Sequence, residues 1–267
     1  MKHSSVIAIL VILASSLCAS VSSVAQTTQN IWQDTSVKHR VMLDAYLPAT
    51  PTDSAIIVCP GGSYCWRATT TEGDEVARAF QRRGIAAYVL HYRVSGIFAY
   101  VTHSRLFFRG NQYPDALRDV QKALQIVRQN HKTVGVIGFS AGGHLALMSS
   151  MYANPDFVGS FYPVISMRQP YVHKRSRRGL LGEYRKFSKQ MRDSLSLERH
   201  AHKVSCKVYL MNCQDDPVVK YQNSIAMDSA LTAAGKPHKY VLHATGGHGF
   251  GIRKHDWIND FLNYIKQ

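Results

Sequence analysis

Residues 134–147 read VGVIGFSAGGHLAL, and the fold turns on them. The apolar run Val134-Gly135-Val136-Ile137 has the length and composition of a short buried strand, and Gly143-His144-Leu145-Ala146-Leu147-Met148 reads as a helix leaving it. Between them Gly138-Phe139-Ser140-Ala141-Gly142 forms G-x-S-x-G, the pattern of a sharp strand-to-helix turn with a serine at its tip. Such a turn closes only if its flanking residues are small, which Gly138 and Gly142 are. It would project Ser140 from the C-terminal end of a strand, with a helix N-terminus behind it whose partial positive charge favours a developing anion. Ser140 is the candidate nucleophile.

Upstream, residues 55–59 are a second buried strand running into Pro60-Gly61-Gly62-Ser63-Tyr64, residues 72–83 have helical spacing stopped at Gly84, and residues 85–90 are a third buried strand. Strand, helix, strand at this spacing implies a parallel sheet with a crossover helix. Residues 31–47 alternate as one or two opening antiparallel strands, and residues 113–129 are an amphipathic helix feeding the serine turn. Residues 95–112 interrupt the rhythm with a long apolar connection. Downstream, strands are expected at 157–164, 207–211 and 238–243, and helices at 189–197, 224–234 and 256–265. The alternation is that of a single α/β domain with a mostly parallel central sheet flanked by helices.

A serine hydroxyl is a poor nucleophile until a base takes its proton, and the base needs a third group to fix its tautomer. On this kind of turn the acid follows the serine in sequence and the histidine follows the acid. After the 207–211 strand, Gln214-Asp215-Asp216-Pro217-Val218-Val219 offers Asp215 or Asp216 as the acid. After the last strand, Thr245-Gly246-Gly247-His248-Gly249-Phe250-Gly251 surrounds His248 with four glycines, which let the backbone pass close to the serine. Of thirteen histidines, His248 is the candidate base, whereas His144 on the helix after the serine reads as packing. An oxyanion would be met by the N–H of Ala141, directly after the nucleophile, and by Gly62 and Ser63 in the loop after the 55–59 strand.

The chain opens with Lys2 and an apolar run over residues 6–17, too short to cross a bilayer as a helix. With Ser23 and Ala25 before Gln26, residues 1–25 read as a signal peptide and residues 26–267 as the mature domain, secreted or periplasmic, with no lasting membrane insertion. Cys18 raises lipid attachment, which the bulky Leu17 before it disfavours. Four cysteines remain. Cys206 and Cys213 flank one strand and would lie roughly 20 Å apart, too far to bridge; Cys59 and Cys65 are close enough in sequence to pair or to stay as buried thiols. The formal charge of +15 is uneven: residues 168–203 hold eleven Lys and Arg against Glu183, Asp193 and Glu198, a net +8. No nucleic-acid motif accompanies them, so a solvated basic surface is expected and nucleic acid is not an expected partner.

Taken together, Cys59-Pro60-Gly61-Gly62-Ser63-Tyr64, His91-Tyr92-Arg93, Tyr113-Pro114 with Asp119, the serine turn continued through His144-Leu145-Ala146, Leu180-Leu181-Gly182-Glu183, Asp215-Asp216-Pro217-Val218-Val219 and Gly246-Gly247-His248-Gly249-Phe250-Gly251 resemble the acetyl xylan esterase-like branch of the α/β-hydrolases. The resemblance runs from about residue 31 to the C-terminus and implies that fold. It selects Asp216 over Asp215, because the family's acid stands three positions before a valine. Cys59 replaces the usual His, Ser63 the usual third Gly, and Lys220 a frequent Pro. The implied activity is hydrolysis of a short acyl ester, acetyl on a hemicellulose sugar such as xylan, through an acyl-enzyme and without metal or organic cofactor. Feruloyl or other carboxylic esters and peptides are alternative substrates for the same apparatus. A non-catalytic binder of anionic polysaccharide is the alternative outside enzymes. Residues 95–112 and 165–203 are expected as pocket-side or surface insertions.

Overall fold

The computed structural model describes residues 27–33, 40–102, 110–168, 170–249 and 256–267. Residues 1–25, expected as a signal peptide and including Cys18, and residues 103–109 of the 95–112 connection lie outside the described residues. An eight-stranded sheet forms from β1 (Thr27–Asn30), β2 (Met42–Tyr46), β3 (Ser54–Cys59), β4 (Ala86–Leu90), β5 (Thr133–Phe139), β6 (Phe157–Phe161), β7 (Lys207–Cys213) and β8 (His238–His243), in the order β1-β2-β4-β3-β5-β6-β7-β8. The two opening strands pair antiparallel with each other and β2 pairs antiparallel with β4. Every pairing from β4 through β8 is parallel. The mostly parallel α/β-hydrolase sheet expected from the sequence is the sheet observed.

Because side chains alternate across a strand, each central strand feeds two cores. Ile57, Val134, Val136, Val208 and Leu210 face helices α3 (Asp115–Val127), α4 (Ala141–Tyr152) and α7 (Gln222–Ala233), through Val120, Leu124, Leu145, Met227 and Leu231. Ile56, Val58, Ile137, Phe139, Tyr209 and Met211 face the other way, onto Val76 and Phe80 of α1 (Glu75–Gln81) and Trp257 and Phe261 of the C-terminal α8 (Trp257–Lys266). Both faces are covered, which is why these strands read as unbroken apolar runs.

The structure refines several expected boundaries. A π-helical turn, Thr69–Asp74, precedes α1, so the predicted 72–83 helix is two pieces. Strand β6 stops at Phe161 rather than 164, because Tyr162 takes a positive φ of 36°. The short α2 (Ile97–Thr102) lies in the 95–112 connection, and the predicted 189–197 helix is α6 (Lys189–Ser194) followed by a 3-10 turn, Leu197–Lys203. Within the basic segment the chain forms α5 (Lys174–Arg185), a helix not anticipated from the sequence, with Gly182 at φ 76° inside it. Cys59, Cys65, Cys206 and Cys213 are all free thiols.

A buried polar knot fixes the N-terminal side. Asp119 of α3 is fully buried; it accepts from Arg93 Nη2 at 2.8 Å, from the Arg93 backbone N–H at 2.8 Å and from Trp32 Nε1 at 2.8 Å. That one carboxylate ties the segment after β1, the end of β4 and α3 together.

Candidate active site

Parallel pairing aligns the C-terminal ends of β3, β5, β6, β7 and β8 on one edge of the sheet, and the candidates from the sequence lie in loops leaving that edge. In α/β sheets this edge is where ligands bind. Ser140 follows β5 directly. Its backbone is at φ 53°, ψ −116°, a strained conformation for a non-glycine residue. Two features hold it: the Ser140 N–H donates to Phe161 O at 2.9 Å, and its carbonyl accepts from His144 and Val164. A Cβ on Gly138 would collide with the Gly142 carbonyl, and one on Gly142 with the carbonyls of Cys59 and Pro60. The two glycines are thus required by close approach, as the motif implies.

His248 and Asp216 complete a relay. His248 Nε2 lies 3.1 Å from Ser140 Oγ, and His248 Nδ1 lies 2.7 Å from Asp216 Oδ2. A carboxylate only accepts, so Nδ1 carries the proton and Nε2 is left to accept from the serine hydroxyl. The Asp216 side chain is fully buried, and its Oδ1 accepts from the N–H groups of Val218 and Val219 at 2.8 and 2.9 Å. Asp215 does different work. It is exposed and accepts from Gly247 and Gly246 N–H at 2.8 and 3.2 Å, fastening the histidine loop; those two N–H groups hold its carboxyl below the ordinary range.

The loop after β3 comes against the serine. A Cβ built on Gly61 would lie 3.0 Å from Ser140 Cβ. Gly62 and Ser63 follow at φ 127° and 58°, and among the described residues their N–H groups have no protein acceptor. Ala141 is the first residue of α4, where a helical N–H has no partner within the helix. These three donors are the ones named from the sequence.

Three neighbours of the site were not singled out as functional from the sequence. Glu72, 6% exposed, accepts from Gly61 N–H at 2.5 Å through Oε2 and from Tyr162 Oη at 3.1 Å through Oε1. Burial raises its pKa, partly offset by those two donors. Tyr162, on the residue after β6, sets its ring edge-on against His248, centroids 4.7 Å apart. His173, immediately before α5, has its pKa pushed down to about 4, by burial first and then by Arg175 and His248, against an opposing pull from Asp216. No spacing rule marks these positions, since a first-turn acid or a strand-end tyrosine is ordinary sequence. His144 is packing, as expected, and well satisfied: Nε2 donates to Leu195 O at 3.0 Å and Nδ1 accepts from Tyr64 Oη at 2.8 Å. Among the described residues no group of three or more His, Cys, Asp or Glu is arranged to hold a metal ion.

Set against known proteins, the prolyl oligopeptidase family profile matches residues 74–267. The acetylxylan esterase of Xylanibacter ruminicola is 30% identical over 256 residues, covering 91% of this chain and 51% of that protein. Endo-1,4-beta-xylanase B of Butyrivibrio fibrisolvens is 25% identical over 260 residues, covering 86% of this chain and 39% of that protein. The chain therefore spans about half the length, or less, of the curated relatives it matches. Among solved structures, the acetyl ester-xyloside bifunctional hydrolase from Caldicellulosiruptor lactoaceticus superposes with a TM-score of 0.73 at 26% identity, over 90% of this chain and 93% of that one.

Proposed function

Since the chain belongs to the prolyl oligopeptidase family, we propose that it is an exported serine esterase that removes short acyl groups, acetyl foremost, from a hemicellulose sugar. The observation that carries the chemistry is the continuous relay from Ser140 Oγ through His248 to Asp216, at 3.1 and 2.7 Å. The substrate class is supported by likeness to an acetylxylan esterase over nine-tenths of the chain.

In this reading Ser140 Oγ attacks the ester carbonyl carbon as its proton passes to His248 Nε2. Asp216 stabilises the imidazolium and holds the ring. The carbonyl oxygen becomes an oxyanion facing the N–H groups of Ala141, Gly62 and Ser63. Collapse of the tetrahedral species breaks the bond to the sugar oxygen, which takes the proton from His248 and leaves as a hydroxyl. Water, giving a proton to the same imidazole, then attacks the acyl-serine carbonyl, and the carboxylic acid departs as His248 returns that proton to Ser140 Oγ. Nothing in this sequence needs a metal or an organic cofactor.

The test is acetate release from acetylated xylan by residues 26–267, beside p-nitrophenyl acetate and longer acyl esters, with Ser140→Ala as control. Release that disappears in the variant supports both nucleophile and substrate. Hydrolysis of small esters alone would keep the mechanism and overturn the xylan assignment. Activity that survives in Ser140→Ala would overturn the mechanism.

A further inference from the structure

The candidate oxyanion loop has no helix or strand to keep its shape. Gly62, Ser63 and Tyr64 run at φ 127°, 58° and 59°, and the last two carry side chains in the left-handed region. Such a conformation persists only where its surroundings fix it. The directions of the Gly62 and Ser63 N–H groups depend on it, so whatever holds Tyr64 also aims those donors.

Tyr64 is held at its ring, its hydroxyl and its carbonyl. The buried ring stands edge-on to Tyr92, centroids 6.2 Å apart, and Tyr92 Oη donates to the Pro60 carbonyl at the root of the loop. The hydroxyl lies 2.8 Å from Nδ1 of the fully buried His144. On the far side of that ring Nε2 faces the Leu195 carbonyl at 3.0 Å; a carbonyl only accepts, so Nε2 carries the proton and Nδ1 is left to accept from Tyr64. Burial, which pushes the His144 pKa down to about 4, keeps the ring in that neutral form. The Tyr64 carbonyl accepts from the Ser95 N–H at 2.8 Å and from Ser95 Oγ at 3.0 Å.

His144 sits on α4 one turn after the nucleophile, and its own N–H donates to the Ser140 carbonyl at 3.2 Å. A short chain of contacts thus runs from Ser140 through His144 and Tyr64 to Ser63. Its span is set by two rigid rings, and the spacing of nucleophile and donors decides whether an oxyanion is met. We propose that Tyr64 is a positioning residue for acyl transfer: its hydroxyl, seated on His144, sets the Gly62–Ser63 loop at the height where its N–H groups meet the oxyanion formed at Ser140. This inference rests on the esterase reading above and adds a residue that acts through the loop rather than on the substrate.

The experiment compares wild type with Tyr64→Phe, which keeps the ring and removes the bond to His144. Steady-state hydrolysis of p-nitrophenyl acetate is measured beside inhibition by phenylboronic acid, whose boron takes Ser140 Oγ to form a tetrahedral anion. Misdirected donors should lower kcat by roughly tenfold to a hundredfold with KM little changed. They should weaken phenylboronic acid by a similar factor, since its adduct resembles the tetrahedral state. The pH midpoint of kcat/KM should stay in place, because the base is untouched. A melting temperature that falls while kcat and boronate inhibition hold overturns the inference. So does a loss of kcat with a displaced pH midpoint, or one without weaker boronate inhibition. If Tyr64→Phe does not fold, Ser95→Ala decides, because it removes the 3.0 Å contact to the Tyr64 carbonyl. A parallel fall in kcat and boronate inhibition then supports the inference, and any other result overturns it. Wild-type turnover that Ser140→Ala abolishes keeps the esterase reading standing through all of these failures, whereas a wild type without turnover overturns both.

Discussion

The Glu72 carboxylate accepts a 2.5 Å hydrogen bond from the N–H of Gly61, the residue preceding the two loop donors proposed for the oxyanion. Its other oxygen accepts from Tyr162, whose ring lies against His248. One buried carboxylate thus sets the direction of the proposed oxyanion loop and supports the candidate base. Glu72→Gln places an amide group where two donors converge, so one contact is lost. The expected result is a fall in kcat for p-nitrophenyl acetate of about tenfold or more, with KM little changed. A melting temperature that drops while kcat holds would make Glu72 a structural residue only.

Asp216 and Asp215 should separate cleanly. Asp216→Asn keeps the shape but removes the acceptor that fixes the His248 tautomer, and should lower kcat by roughly ten-thousand-fold, by analogy with other serine triads. Asp215→Asn only loosens the Gly246 and Gly247 contacts and should reduce kcat by about tenfold or less. Steady-state kinetics on one ester substrate checks both.

Acid should destabilise the fold between pH 6.5 and about 4. His144 and His173 are both pushed down to about 4, chiefly by burial. In the unfolded chain each takes a proton near 6.5, so in that window the unfolded state binds more protons than the folded one. Stability is full above pH 6.5 and is lost progressively as pH falls toward 4. Melting temperatures across that range should show the decline, and His144→Gln should flatten it while lowering stability at pH 7 through lost contacts with Tyr64 and Leu195. A wild-type melting temperature flat from pH 7 to 4.5 would refute the assignment.

Removing the carboxylate of Asp119 takes the acceptor from the Arg93 backbone N–H and the Trp32 indole N–H, and leaves the Arg93 guanidinium to the more distant Asp115 carboxylate at 3.6 Å. Asp119→Ala should cost about 3–5 kcal/mol, the range for breaking a buried ion pair from one side. Urea denaturation measures this directly. Arg93→Lys, which keeps charge but not the fork, should also destabilise, by less.

The parts legible in the sequence were those fixed by local chemistry. The serine turn demands Gly138 and Gly142, buried strands demand apolar runs, and a histidine that must reach a serine from a tight loop brings glycines with it. What was not legible depended on tertiary context. Helix α5 was missed because Gly179 and Gly182 interrupt its pattern; Gly179 is there for close approach to Ser63, and Gly182 departs from helical geometry. Asp216 was separable from Asp215 only by resemblance, since both sit in one loop and only folding decides which one is buried. Glu72 reads as an ordinary acid near a helix start until β3 and β6 bring Gly61 and Tyr162 onto it.

The crossover between β6 and β7 carries residues 170–203, whereas Ser140, Asp216, His248, Gly62, Ser63 and Ala141 all lie outside it. The stretch that borders the mouth and the stretches that move the proton are therefore separate passages of one chain. Drift in the first can alter what reaches the mouth without disturbing the second. A lineage built on this plan can rewrite a single crossover and leave the serine, histidine and aspartate where they stand.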